Sequence, residues 1–340
     1  MAQQFFPVAM LMMAMLPMIL ASACRSSERS GMTIVLYAFS AVEDVMKDEI
    51  IPAFVDEVKE STGEEIRVVT SFAGSGTITN QIIFGAPAHV AIVATEMDAI
   101  NLRNAGVVST DWRSFKNEGT FAYTVTSIVT RQGNPRGLRS FEDLGGQGVQ
   151  IVYPDPTTSG GAQWAILALY GSALKTSELA SGVPDHVAAR QLVAAVSANA
   201  GSLPESARRA LTQFQLGYGN ALLTYENEAL MDVARGKTYE VIVPRSTILI
   251  EPKVVIVDSN VDAEDEDMVR AFVDFLWSEQ AQVALARNNF RVWDDAIMEQ
   301  FAGRYAKVEL PFTVEYLGGW EVATSDIIDR VWRDVQRELR

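Results

Sequence analysis

The sequence predicts an α/β protein of two lobes joined by crossing strands, and three observations carry that prediction. Short apolar runs alternate with helical stretches, the pattern of a largely parallel sheet covered by helices. The alternation closes near Thr120 and then starts again. One apolar run, Ile248 to Val257, is interrupted only by Glu251-Pro252-Lys253 and reads as a long crossing strand. With 340 residues, 48% of them hydrophobic, the chain can fill two cores.

In the first half, Ile34 to Phe39 is almost continuously apolar, as expected of a strand buried on both faces. Ser40 is a candidate cap for a helix over Val42 to Glu60, where Val45, Met46, Ile50, Phe54 and Val58 recur near helical spacing. Thr62-Gly63 ends it, and Ile66 to Val69 is the next strand. Gly74-Ser75-Gly76 then opens a helix carrying Ile78, Ile82 and Ile83, and Val90 to Val93 makes a third strand.

The second half begins with strand-like Phe121 to Thr130 and a turn at Gly133-Asn134-Pro135. Val149 to Val152 leads into Tyr153-Pro154-Asp155-Pro156-Thr157-Thr158-Ser159-Gly160-Gly161, and an apolar helix follows from Trp164. The prolines block both continuation of the strand and an early helix start. Ser159 is a candidate N-cap, and Gly160 and Gly161 leave first-turn N–H groups open. Such a turn is either a plain connection or an anion cradle, because unpaired N–H groups and the positive helix end meet at one spot. Asp185 to Val196 and Pro204 to Phe214 read as helices, Ala221 to Thr224 and Tyr239 to Val243 as strands. Met268 to Arg287 reads as one apolar helix, and Ile327 to Leu339 as an amphipathic closing one.

Charge and composition exclude several function classes. A net charge of −15 with no basic cluster argues against nucleic acid, whose phosphates need grouped Lys and Arg. A small anion remains possible, since a few N–H groups dominate at contact distance. The two histidines, His89 and His186, have no metal-type spacing, and no P-loop or H-E-x-x-H motif occurs. The reading is therefore a non-enzyme with no cofactor and no metal. Phe5 to Ala23 is an apolar, Met-rich export leader, although no Lys or Arg precedes it. Ala21-Ser22-Ala23 fits ordinary signal cleavage. The same site followed by Cys24, the single cysteine, also resembles a bacterial lipobox, with Leu20 one place further from the cysteine than usual. Cys24 is thus a candidate lipidation site.

With these residues in place, the chain resembles the sulfate-binding family of periplasmic solute-binding proteins over about residues 33–321. The landmarks are Gly74-Ser75-Gly76, Thr158 to Trp164, Tyr225-Glu226-Asn227-Glu228-Ala229-Leu230, Ile250-Glu251-Pro252 and Leu317-Gly318-Gly319-Trp320. One GSG is weak; five such pieces in order are strong. The resemblance implies a two-lobed, periplasmic-binding-protein-like (type II) fold with two mixed, mostly parallel sheets and crossing hinge strands. It implies a leader over 1–23, lobe one over 33–112 plus 254–312, and lobe two over 113–253 plus 313–340. Glu251-Pro252-Lys253 and the crossover near Asp111-Trp112 are the expected hinges. The implied role is capture of sulfate between the lobes by a monomer outside the cytoplasm, lipid-anchored or periplasmic, and delivery to the membrane permease of an ABC-type importer.

Residue by residue, the resemblance gives Ser75 a hydroxyl or amide contact with the anion. It gives Ser159, Gly160 and Gly161 hydroxyl and amide contacts, and Ala207 an amide, with Ser206 as fallback. Tyr225 stands where the family usually has a tryptophan, and His89, expected to be a satisfied packing residue, where it usually has an aspartate. Sulfate carries no proton at neutral pH, so a donor-only pocket suits it and rejects hydrogen phosphate, whose O–H would stay unpaired at about 1–3 kcal/mol. Asp155, just ahead of the turn, is the one carboxylate expected to threaten such a pocket. Phosphate, molybdate or tungstate, and thiosulfate are the alternative ligands. An anion-sensing module is the other class, and it calls for a signalling domain that the sequence does not contain.

Overall fold

The computed structural model of the protein describes Met1 and residues 31–340; the leader and Cys24 lie outside the described residues. Along the chain come β1 (Thr33–Phe39), α1 (Glu43–Val45), α2 (Ile51–Thr62), β2 (Arg67–Ala73), α3 (Ser75–Ile83), β3 (Val90–Val93) and α4 (Glu96–Asn104). Then follow β4 (Thr124–Thr130), β5 (Ile151–Val152), α5 (Gly160–Ser181), α6 (His186–Ala198), β6 (Ala200–Ser202), α7 (Ala207–Gln215), β7 (Ala221–Tyr225) and α8 (Glu226–Ala234). The chain continues with β8 (Glu240–Ile242), β9 (Ser246–Ile250), β10 (Lys253–Ile256), α9 (Glu266–Phe275), α10 (Glu279–Arg287) and α11 (Asp295–Phe301). It ends with β11 (Leu310–Phe312), α12 (Gly319–Val322) and α13 (Arg333–Glu338).

These strands form two sheets. The first has the order β10-β3-β1-β2, with β1 parallel to β2 and β3, and β10 antiparallel on β3. The second runs β11-β9-β4-β7-β5-β6, with β8 beside β4. In it, β5 pairs in parallel with β6 and β7, and β11 with β9, whereas β4 is antiparallel to β7, β8 and β9. Both sheets are mixed, as the sequence predicts, but the second divides evenly rather than being mostly parallel. β4 sits at its centre and runs against its neighbours.

Several elements depart from the sequence reading for local reasons. Ser40 is not a cap but the first residue of a helical turn that Phe39 precedes. A π-helical turn at Met46–Ile50 leads straight into α2, near whose start lies Pro52. The missing proline N–H cannot hold an ordinary i→i−4 bond there, and the wider turn absorbs the loss. Pro204 is not the first helical residue; Ser206 caps α7 by accepting from the Arg209 N–H. The apolar stretch from Met268 to Arg287 is two helices, because Ser278 accepts from the Ala281 N–H and caps a new one, α10. Trp112 is fully buried in the core beside the first sheet, and the chain joins the second sheet only at Thr124. Asn117, Glu118 and Gly119, all at positive φ, bend it over in between. A side chain on Gly119 would lie 3.0 Å from the Trp112 carbonyl oxygen, so glycine is needed there. The other crossing is the break between β9 and β10, where the Lys253 ammonium is buried and donates to the Thr120 hydroxyl at 2.8 Å.

Candidate functional site

Lobe two offers its donors at the turn before α5. Asp155 Oδ1 accepts from the Thr157 N–H at 2.8 Å and the Thr157 hydroxyl at 2.7 Å, and its backbone carbonyl accepts from the Ser159 N–H. The carboxylate expected to threaten the pocket is therefore spent inside its own turn. Ser159 caps α5 with its backbone alone: the residue is buried and its hydroxyl makes no cap bond. Gly160 and Gly161 open the helix, so their N–H groups have no partner within it. α5 holds this turn rigidly, because it is buried on nearly every side from Ala162 to Leu174.

Two more donors converge on the turn. Ala207 is the first residue of α7 and is buried. The Ser206 hydroxyl accepts from the Arg209 N–H at 3.2 Å and caps the helix, and the Ala207 N–H, in its first turn, has no partner within the helix. Tyr225 ends β7, and a side chain on Gly161 would lie 3.0 Å from its hydroxyl oxygen. Burial pushes the Tyr225 phenol well above its ordinary pKa, and the carboxylates of Glu228 and Asp98 add to this. The group stays protonated at neutral pH, so it can donate.

Lobe one meets these groups edge to edge. A side chain on Gly160 would lie 2.7 Å from Ala94 Cβ, 3.0 Å from Thr95 Cγ2 and 3.2 Å from Ser75 Cβ. One on Gly74 would strike the Thr158 carbonyl oxygen and lie 2.7 Å from that of Glu205, two residues before Ala207. The Trp164 indole N–H donates across the junction to the Ala94 carbonyl at 2.6 Å. Phe39, at the end of β1, packs edge-on against the Tyr225 ring at 6.0 Å. All six residues singled out in the sequence, Ser75, Ser159, Gly160, Gly161, Ala207 and Tyr225, thus border one junction.

The Ser75 hydroxyl is differently placed from that of Ser159. It donates to Asp98 Oδ2 at 2.7 Å and accepts from the Ala94 N–H at 2.8 Å. The Thr95 hydroxyl donates to the same carboxylate oxygen at 2.8 Å. Burial raises the Asp98 pKa, and the hydroxyls of Ser75, Thr95 and Thr79 offset part of that rise. Asp98 is a carboxylate beside the site that sequence reasoning missed; in sequence it looks like an ordinary first-turn acid of α4.

Ion pairs tie the lobes together around the junction. The Asp44 carboxylate takes Arg208 at 3.0 Å and Arg235 at 3.1 Å, both from lobe two. Partial burial would raise the Asp44 pKa, but the two guanidinium groups outweigh it and hold it below the usual range. Arg208 also reaches the buried Glu228 at 3.1 Å, without the alignment of a hydrogen bond. Arg291 grips Glu226 with two bonds of 2.8 and 2.9 Å, so both first-turn acids of α8 are neutralised. His89 lies at the opposite end of β3 from Ala94, and its Nδ1 is buried and has no partner among the described residues, where the sequence reading expected it to be satisfied. Among the described residues no group of His, Cys, Asp and Glu could hold a metal ion, and no helix is long and apolar enough to cross a membrane.

The family model of the bacterial extracellular solute-binding proteins matches residues 34–291. The chain belongs to that family. Among its relatives, a sulfate-binding protein of Synechococcus elongatus is 34% identical over 298 residues, 87% of this chain and 83% of that one. A thiosulfate-binding protein of Pseudomonas aeruginosa is 33% identical over 82% of this chain and 84% of its own. Among solved structures, the sulfate-binding protein SubI of Mycobacterium tuberculosis superimposes with a TM-score of 0.78 at 28% identity, covering 86% of this chain and 98% of that one. A periplasmic thiamin-binding protein shares the two-lobed fold at a TM-score of 0.67 and 14% identity. The family's two-lobed α/β architecture is the one described above.

Proposed function

We propose that this protein is a receptor for sulfate, held between the lobes by neutral donors and handed to the permease of an ABC-type importer. The observation that carries the reading is the junction of Ser159, Gly160, Gly161, Ala207 and Tyr225 with Ser75. It offers hydroxyl and amide donors at three helix N-termini and uses no lysine or arginine as a direct partner. Each N-terminus contributes partial positive charge, which attracts a dianion without fixing it irreversibly. Relatives named for sulfate at 34% identity support the ligand, and the receptor role supports the absence of catalysis. The sequence reading gave Ser159 both hydroxyl and amide, but its N–H is held by the Asp155 carbonyl, so Ser159 would give its hydroxyl, Gly160, Gly161 and Ala207 amides, Tyr225 its phenol and Ser75 its amide.

The lobes in this reading are residues 33–112 with 254–312, and 113–253 with 313–340, although β11 at Leu310–Phe312 pairs into the second sheet. They would close about the segment near Asn117–Gly119 and the break at Glu251-Pro252. Export outside the cytoplasm follows from the family; anchoring through Cys24, and action as a monomer, are part of the proposal. Thiosulfate is the second reading, favoured by the Pseudomonas aeruginosa relative. Calorimetric titration of the leaderless protein with sulfate, thiosulfate and phosphate in turn tests both. Sulfate should bind and phosphate should not displace it. A clear preference for thiosulfate makes the second reading correct, and preference for phosphate removes the donor-only site.

A further inference from the structure

We propose that Phe39, a side chain of lobe one, is a positioning residue for the anion: it sets the tilt of the Tyr225 ring and so aims the phenol O–H. The inference rests on the anion-receptor reading and makes donation by Tyr225 depend on the lobes being together. Phe39 ends β1, is buried, and meets the Tyr225 ring edge-on, with centroids 6.0 Å apart and planes at 61°. Such a pair has a preferred geometry that an aliphatic neighbour does not impose. The hydroxyl end of the same ring lies against Gly161, where a side chain would come within 3.0 Å of the oxygen and 3.1 and 3.2 Å of two ring carbons. A phenol oxygen lies on the long axis of its ring, so a ring flip leaves it in place and only a tilt of the whole ring moves it. The neighbour that limits the tilt therefore sets where the donor stands.

Lobe one holds Phe39 itself firmly. β1 lies between β2 and β3, with Phe39 opposite Ala73 of β2. Just beyond it, the Ser40 carbonyl accepts from Arg208 Nη2 at 3.4 Å, and the Asp44 carboxylate from Arg208 Nη1 at 3.0 Å. Arg208 follows Ala207 at the start of α7. The corner after β1 thus touches both lobe-two donors outside the α5 turn: Tyr225 through the Phe39 ring, and the Ala207 end of α7 through Arg208. At the residue after Tyr225, Arg291 of lobe one grips Glu226, the first residue of α8, with bonds of 2.8 and 2.9 Å. With the backbone held there, the tilt of the ring is the coordinate that Phe39 controls. The two rings belong to different lobes, so separating the lobes breaks their contact. Closure therefore aims the donor as the anion is enclosed.

The experiment is a double-mutant cycle on the leaderless protein, read by calorimetric titration with sulfate: the unaltered chain, Phe39→Leu, Tyr225→Phe and the two together. Tyr225→Phe should lower affinity by about thirtyfold, the loss of a donor to a charged partner. Phe39→Leu should lower it by about tenfold, because the donor is misaimed and the ring contact is gone. In the Tyr225→Phe background the same substitution should cost no more than about threefold, the ring contact alone, since no hydroxyl remains to be aimed. Costs of Phe39→Leu within about twofold of each other in the two backgrounds would show plain packing between the lobes and overturn the proposal. Undiminished affinity in Phe39→Leu or in Tyr225→Phe overturns it as well, and each of these results leaves the receptor reading intact. Phe39→Met keeps apolar volume without a ring edge, and it carries the same cycle if circular dichroism shows that leucine disturbs the fold. No sulfate heat from the unaltered protein removes both the proposal and the receptor reading.

Discussion

The two halves of the junction are built on different plans. Lobe two presents groups that its own helices leave open: the Ser159 hydroxyl, which makes no cap bond, and first-turn amides of two helices. Lobe one presents groups already committed, with the Ser75 hydroxyl tied to Asp98 and the Ala94 carbonyl taken by Trp164. Open donors give affinity for an incoming anion, and committed ones give a surface of fixed shape. The difference teaches that two serines, each beside a glycine ahead of a helix, need not serve the same purpose.

Gly160→Ala should have the largest effect on this arrangement, because its methyl group would press on Ala94 and Thr95. Neither can withdraw, since hydrogen bonds to Ser75, Trp164 and Asp98 hold both. Overpacking of 1–3 kcal/mol translates into a loss of sulfate affinity of about a hundredfold at the upper end, with little change in the melting temperature of the ligand-free protein. Undiminished affinity would mean that the lobes need not touch there. Ser159→Ala removes a hydroxyl able to bond a charged ligand, so a loss of about thirtyfold is expected by titration calorimetry.

Smaller effects test the committed side. Asp44→Asn removes the charge that Arg208 and Arg235 grip across the lobes. A partly exposed pair of this kind is worth little, so affinity should drop by about threefold, mainly through faster release in stopped-flow. The drop should shrink as salt is added. Ser75→Ala should cost about twofold or less, since the hydroxyl belongs to Asp98. If it costs as much as Ser159→Ala, the two halves are alike and the contrast between them is lost.

What the sequence made legible were features whose cause is local. The turn at Ser159-Gly160-Gly161 and the strand–helix alternation follow from residues within a few positions, whereas the start of α7 was read at Pro204 and lies two residues on, where Ser206 caps it. The family resemblance pointed to six residues that lie along the junction, beside others, such as Ala94 and Thr95, that it did not name. Asp98 stayed hidden because its partner Ser75 is 23 positions away. Nothing in its sequence neighbourhood separates a buried acid from a solvated one. The Asp44 to Arg208 pair spans 164 positions and could not be read from spacing. The split at Ser278 was missed because apolar periodicity continues across it, and a single side-chain bond to the Ala281 N–H decides the break.

The indole of Trp164 has a consequence of a different kind. It belongs to lobe two, stands edge-on to Trp320 at 4.6 Å, and borrows its hydrogen-bond acceptor from lobe one. An excited indole is sensitive to whether its N–H meets a carbonyl or water. The protein thus carries its own optical gauge of lobe separation, readable as a shift in emission colour without any attached dye.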